Sequence, residues 1–302
     1  MFWAKKGKTG KRHILLHYHI FKNAGTTIYF ILKSNFGKRV ASLDSNRFNR
    51  ALGDDVLLKF LQKHPKIEAV TSHHLFPPKP QHEQFVFHDI LFLRHPMARL
   101  SSMYDFYRRT DVTEDPLTKE ARRRNTADFM KLLIDKYSHH VNNAQVRYLS
   151  ARERNEAEPE LQTAVRIAFQ STVLGVAEQF DVSAVTAEHV LSPTFAGIRF
   201  AYIARNVSSS GPRELQVHLS HFRDACGDET YEELLKLNLL DISLLEEAKR
   251  EVERRFRTIP DHEERLRNFI TWRSALDPGS MALIVASSPP ADFTAYANAG
   301  TV

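Results

Sequence analysis

Ile14-Leu-Leu-His-Tyr-His-Ile-Phe-Lys-Asn-Ala-Gly-Thr-Thr-Ile28 is the stretch that decides how the rest of the chain is read. A mostly apolar run of strand length stops at Phe21. A Lys-Asn-Ala-Gly-Thr-Thr turn follows, and apolar residues then recur at Ile28, Ile31, Leu32 and Phe36. The change from an extended run to helical spacing across a glycine-containing turn predicts a strand–turn–helix unit. Such a turn aims several backbone N–H groups and the positive end of a helix at one point, which suits a phosphate or sulfate group. Lys22 opens the turn, and Thr26 and Thr27 close it with hydroxyls that either cap the helix or bond an anion.

Outward from this unit the same alternation repeats. Glu68 to His74 reads as a second strand, closed by the breaker run Phe76-Pro-Pro-Lys-Pro80. Asp89 to Arg94 is a third, nearly all apolar, as expected of a strand covered on both faces. His95-Pro96 then starts a helix on which Arg99, Ser102 and Phe106 share one face. Ser171 to Glu178 and Phe200 to Arg205 are the fourth and fifth strands, the last running into the loop chemistry of Asn206 to Pro212. Helical spacing is readable from Asp54, as N-cap, to His64, at about 126–138, 140–149 and 160–170, after a cap at Asp181, and over Tyr231–Leu237 and Ser243–Phe256. The segment between the first helix and Asp54 reads as a polar connection, and Thr113 to Arg124 as a charged surface loop. The pattern predicts an α/β fold with a central parallel sheet of about five strands flanked by helices. It is expected as one domain over 13–273, with a basic leader at 1–12 and a flexible tail at 274–302, in which 281–286 is an alternative edge strand.

Composition excludes several function classes. The 302 residues carry 42 basic and 36 acidic side chains, a net +6, and the pI of about 9.3 favours anionic ligands. Cys226 is the sole cysteine, so no intrachain disulfide and no cysteine-rich metal site can form. No run approaches the roughly 18 to 20 apolar residues of a membrane span. The basic start is followed by a strand and not by a signal-peptide core, so the expectation is a cytoplasmic protein without a membrane span. The basic stretches Lys5–Arg12 and Arg122–Arg124 come without a base-reading motif, and no nucleic-acid partner is expected.

Among phosphate-binding chemistries, the nucleotidase pattern G-x-x-x-x-G-K-[ST] fails here. The lysine stands at the front of the turn, and Ile20 holds the place of the first glycine counted back from Gly25. The dinucleotide pattern G-x-G-x-x-G is absent as well. With Lys-Asn-Ala-Gly-Thr-Thr after strand one and Leu93-Arg-His-Pro-Met-Ala-Arg-Leu-Ser-Ser102-Met-Tyr after strand three, the chain resembles the sulfotransferase superfamily. Those enzymes use 3′-phosphoadenosine 5′-phosphosulfate as donor. Asn143–Arg147, Leu174–Asp181, Ala204–Ser208 and Asp241–Leu245 resemble later segments of its carbohydrate branch. Three positions depart from the family pattern: Phe21 stands where proline is usual, Ala24 where glycine is frequent, and His95 where aspartate is usual.

The resemblance implies roles residue by residue. Backbone amides of Asn23, Ala24, Gly25, Thr26 and Thr27 are to hold the 5′-phosphosulfate, with Lys22 neutralising the bridging oxygen as the S–O bond breaks. Arg94 and Ser102 are to hold the 3′-phosphate, an arginine fork giving two bonds and serine a third. Arg147 and Arg205 are further candidate donor contacts. The base matches a His-x-x-Phe context in Ser72-His73-His74-Leu75-Phe76; His73 has that spacing, and His74 is the alternate, since a one-residue shift turns the other ring inward. The implied acceptor is a carbohydrate or glycolipid, and no metal is implied.

Other readings stay open at this point. His17 and His19 lie on one face of strand one and, with His73 and His74, could suggest a metal site, but no carboxylate or cysteine ligand stands at a defined spacing. A kinase-like phosphotransferase needs carboxylates for Mg²⁺, which no strand end supplies in the sequence reading. A non-catalytic module that keeps the anion cradle is the third possibility.

Overall fold

A computed structural model describes residues 10–45, 51–154, 157–200, 202 and 212–276. Five strands, β1 (Arg12–Tyr18), β2 (Val40–Ser42), β3 (Ala69–Ser72), β4 (Phe85–Leu93) and β5 (Val173–Val176), form one sheet in the order β2-β3-β1-β4-β5. Every pairing is parallel. The expected parallel sheet flanked by helices is therefore the architecture found, and because all strands run the same way, their carboxyl ends share one edge. On that edge lie the Lys22 turn after β1, Asp44 after β2, His73 after β3, Arg94 after β4 and Glu178 after β5.

The five strands are not quite the five predicted. β2 lies in what reads as a polar connection, because three residues are too few to display an alternation. In the predicted fifth strand, Phe200 and Tyr202 have no strand conformation, and 201 and 203–205 fall outside the described residues, as does 281–286. β1 begins at Arg12, inside the expected leader, and the Arg12 guanidinium holds the carbonyls of Leu61 and Ile67, each at 2.8 Å.

Both faces of the sheet are covered, which is why β4 is so apolar. One face packs Leu57 and Leu61 of α2 (Asp54–Lys63), Val146 and Leu149 of α6 (Ala144–Ser150), Ala164 of α7 (Glu160–Gln170) and Leu244 of α11 (Leu239–Arg257). The other packs α1 (Gly25–Phe36), α8 (Phe180–Leu191) and α12 (His262–Ser274) through Ile28, Ala184 and Phe269. Gly175 of β5 sits under the Phe92 ring, whose atoms come within 2.4 Å of where a Cβ would stand, so only glycine lets this ring lie flat against the sheet.

A third apolar cluster joins α3 (Pro96–Arg109), α4 (Pro116–Arg123), α5 (Thr126–Lys136), α9 (Pro212–Cys226) and α10 (Asp228–Leu237). Thus Thr113–Arg124 is largely a helix: Asp115 caps it by accepting from the Leu117 amide at 2.8 Å, and its Leu117, Thr118 and Ala121 face is buried. Two expected caps move by one or two positions. Gly53 and Gln179 occupy the N-cap places, while Asp54 and Asp181 lie in the first turns, where they bond Arg152 and the Tyr202 hydroxyl. A carboxylate there still favours the helix through its dipole. Among the described residues no helix is long and apolar enough to cross a membrane.

Candidate functional site

The Lys22 turn is built by backbone conformations that side chains ordinarily avoid. Lys22 and Ala24 both have positive φ, 66° and 60°. The Asn23 amide closes back on the Ile20 carbonyl at 3.1 Å. Non-glycine residues held in the left-handed region cost free energy, and surrounding structure must hold them there. Asn23 supplies that hold: its buried side-chain amide donates to the Phe92 carbonyl at 2.9 Å and to Gln145 Oε1 at 2.7 Å. Gln145 in turn accepts from the Arg94 amide at 3.0 Å and donates to the Arg94 carbonyl at 2.9 Å. Strands β1 and β4 and helix α6 therefore meet in one polar knot directly below the turn.

Helix α1 starts from this turn with Ala24 as N-cap, no side-chain cap and no acidic residue in its first turn. Thr26 and Thr27 lie inside the helix and do not cap it, contrary to one of the two roles the sequence left open. The first N–H groups of a helix have no intrahelical acceptor, so an uncapped, acid-free start presents donors and positive potential together. Gly25 is required here for a specific reason. A Cβ at this position would stand 1.8 Å from two atoms of the His19 ring, which lies against the helix start.

Basic groups surround that start. Arg94, almost fully buried, donates from Nη1 to the Lys22 carbonyl at 3.1 Å. Lys22 Nζ lies over the rings of Phe106, 4.6 Å from its centroid, and Phe21, 5.7 Å away. Burial, with the nearby Arg94 charge, lowers the Lys22 pKa to about 8, against a smaller opposing pull from Asp105. Phe21 is thus a packing residue of the third cluster, touching Phe106 and Tyr107. His95 is the N-cap of α3, its Nδ1 accepting from the Met97 amide at 3.3 Å. Burial, reinforced by the Lys249 charge, lowers its pKa to about 4, so the ring stays neutral and able to accept.

The histidines form a column. His17 stacks on His19 with centroids 5.2 Å apart, and His19 stacks on His73 at 3.7 Å. His73 Nδ1 lies 2.8 Å from the His19 carbonyl. A carbonyl only accepts, so Nδ1 carries the proton and Nε2 is left with its lone pair. Burial lowers the His73 pKa, more than the Asp44 charge and the His19 carbonyl raise it, so the ring is neutral near pH 7. His74 serves elsewhere. Its Nδ1 lies 3.1 Å from Asp44 Oδ1 and 3.2 Å from the Ser45 amide, tying the end of β3 to the segment after β2. No group of three or more His, Cys, Asp or Glu with metal-holding geometry occurs among the described residues, and the His17 Nδ1 is engaged by the Thr71 hydroxyl at 2.8 Å.

Two strand ends do carry carboxylates, which corrects the reading that none does. Both bond protein groups, although Glu178 Oε2 is buried with no hydrogen-bond partner among the described residues. Asp44 accepts from the His73 amide at 2.7 Å and from Ser42 and Ser72, and Glu178 accepts from the His95 amide at 2.8 Å.

Of the remaining predicted residues, Ser102 is half-buried on the second turn of α3, and Arg147 half-buried on α6, two residues beyond Gln145 and close to His139. Arg99, which shares the Ser102 face in projection, is buried and donates to the His140 carbonyl. Arg205 lies outside the described residues. Sequence reasoning missed Gln145, Asp241 and Asp44. Asp241 accepts from the amides of Gln145, at 3.1 Å, and Val146, at 2.8 Å, while Asn143 accepts from the Leu240 amide at 2.9 Å, so α6 and α11 cap one another. The signal in the sequence was Asn143–Arg147 and Asp241–Leu245 as motif-like segments; that they bond each other required the fold. His218 of α9, also missed, has a buried Nε2 without a hydrogen-bond partner among the described residues, and its pKa is lowered by burial and by the Arg94 charge.

No family model matches this chain. An uncharacterized protein of Archaeoglobus fulgidus is 26% identical over 243 residues, covering 78% of this chain and 96% of the archaeal protein.

Proposed function

We propose that this protein transfers a sulfuryl group from 3′-phosphoadenosine 5′-phosphosulfate to a hydroxyl of a carbohydrate or glycolipid. The observation that carries the reading is the Arg94 to Lys22 hydrogen bond of 3.1 Å, which joins the two motif regions across 72 positions of sequence. It sets two cations beside an uncapped helix start. The donor has two anionic ends, a 5′-phosphosulfate and a 3′-phosphate, and two adjacent cationic sites fit such a molecule better than one simple phosphate.

In this reading the amides of Asn23 to Thr27 and the α1 dipole hold the phosphosulfate, and Arg94, with Ser102 one helical segment on, holds the 3′-phosphate. Arg147 stays a candidate at the edge of the same site. The acceptor oxygen attacks sulfur in line, the bond from sulfur to the phosphate oxygen breaks, and the acceptor proton passes to His73 Nε2. Lys22 neutralises the oxygen that leaves as part of adenosine 3′,5′-bisphosphate. His73 is favoured over His74 because its ring stacks on His19 above the turn and its tautomer leaves Nε2 basic.

A phosphotransferase on the same scaffold is the weaker reading, since Asp44 and Glu178 already hold backbone amides and serine hydroxyls. Thermal denaturation separates the two. Adenosine 3′,5′-bisphosphate is expected to raise the melting temperature, and ATP with Mg²⁺ not to; the reverse result overturns the proposal. Labelled donor incubated with glycans then separates an enzyme from a binding module, with Lys22→Ala expected to slow transfer more than it weakens donor binding.

A further inference from the structure

Beside the base and the ammonium group stands a wall of aromatic rings for which donor chemistry gives no use. Phe21 lies 6.4 Å from the His73 ring at 63° and 5.3 Å from the Phe106 ring at 83°, with Tyr107 behind at 5.9 Å. Lys22 Nζ sits over both phenylalanines. Phe106 is 36% exposed on α3, although apolar neighbours are at hand in the third cluster. One exposed phenylalanine is ordinary; one exposed next to a lowered-pKa lysine, with its partner Phe21 edge-on to a histidine base, borders the place where a hydroxyl must arrive.

We infer that Phe21 and Phe106 form the acceptor platform of the site and that it takes a neutral pyranose ring, stacked by its C–H face with one hydroxyl directed at His73 Nε2. The inference rests on the sulfuryl-transfer reading for the role of His73 and Lys22. The C–H face of a pyranose is apolar and slightly positive, and the face of an aromatic ring is apolar and slightly negative, so the two attract and exclude water from each other. Charge around the wall argues for a neutral sugar over a polyanion. Asp105, the neighbour of Phe106, places a negative charge near Lys22. Two cations of the same region are already paired with carboxylates: Arg109 with Asp105 at 3.8 Å and Arg124 with Glu120 at 2.8 Å. A sulfated or uronate-rich chain would have to break these pairs or face Asp105.

Saturation-transfer NMR with methyl glucoside, methyl galactoside and methyl mannoside tests the platform directly, with and without adenosine 3′,5′-bisphosphate. At least one of the three is expected to receive saturation from wild type, to lose it in Phe106→Ala, and to regain it in Phe106→Trp. In transfer assays Phe106→Ala is expected to raise KM for the neutral acceptor about tenfold, the loss of one ring stack, while the melting shift given by adenosine 3′,5′-bisphosphate is kept. Phe21→Leu, which removes the ring but keeps an apolar side chain in the cluster, should reproduce the KM effect if Phe106→Ala proves unstable. No saturation transfer to any of the three sugars, an unchanged KM in both variants of an active enzyme, or stronger binding of a uronate oligosaccharide than of neutral sugars overturns the inference. A protein that binds the sugars through Phe106 but shows no melting shift with the bisphosphate keeps the platform and loses the sulfuryl-transfer reading.

Discussion

Asn23 and Gln145, 122 positions apart, are joined by a buried 2.7 Å hydrogen bond from the Asn23 side-chain amide to Gln145 Oε1. The same amide reaches the Phe92 carbonyl, and the Gln145 side chain also brackets the Arg94 backbone, so the turn is fixed to β4 and α6. This pre-organisation lets a turn with positive φ at Lys22 and Ala24 persist without a glycine at either place.

Asn23→Ala should therefore act on both stability and binding. It leaves the Gln145 and Phe92 oxygens short of a buried donor, a loss of about 1–3 kcal/mol for such a group. A lowered urea midpoint together with a weaker melting shift from adenosine 3′,5′-bisphosphate is expected. A variant as stable as wild type would show that the knot does not hold the turn.

Gly25→Ala is expected to damage the site more than the fold. The new Cβ would overlap the His19 ring, and moving that ring disturbs the His73 stack 3.7 Å away. Its far-ultraviolet circular dichroism should stay native, with transfer activity reduced by roughly two orders of magnitude, the scale of a misplaced catalytic group. Activity near that of wild type would mean that His19 swings away freely and that the stack has no catalytic consequence.

How much of this is legible in the sequence depends on range. Strand, turn and helix at Ile14–Ile28 and the apolar strand before Arg94 follow from local periodicity, and both are where the reading places them, within a few residues at each end. β2 is hidden because Val40-Ala41-Ser42 is held by pairing with β3 and not by any pattern of its own. α4 is hidden because its exposed face is so charged that the three inward residues, Leu117, Thr118 and Ala121, are outnumbered. At the site, residue types in the two motifs can be read, but Gln145, Asp241 and Asp44 act through partners far away in the chain, which a single sequence does not reveal.

On the proposed sulfuryl-transfer reading, kcat/KM should have a bell-shaped pH dependence. The acid side belongs to His73, whose lowered pKa puts the loss of the free base below the ordinary histidine value of about 6.5. The alkaline side belongs to Lys22, which must be charged and loses its proton near a pKa of about 8. In kcat the alkaline limb should move up, because bound phosphosulfate favours the ammonium form. Lys22→Arg should remove the limb near 8, since guanidinium stays charged throughout. A limb that persists in that variant assigns it to another group.

The buried histidine at the foot of the column predicts how stability itself varies with pH. His17 is 1% exposed, and burial, with His73 nearby, lowers its pKa to about 3. In the unfolded chain it titrates near 6.5, so between these values the unfolded state binds the extra proton and stability must rise with pH. The full contribution is present above about pH 6.5 and is lost progressively as pH falls toward 3, on the order of 2 kcal/mol by pH 5. His140, with its pKa lowered to about 3 by burial and by His139, and His95 add in the same direction. Urea midpoints measured from pH 8 to pH 5 should fall most steeply below 6.5, and His17→Gln, which can keep a hydrogen bond to Thr71 without a titrating ring, should flatten the slope by part of one proton. An identical slope in that variant would place the uptake on the other histidines and mean that His17 takes up its proton equally in both states.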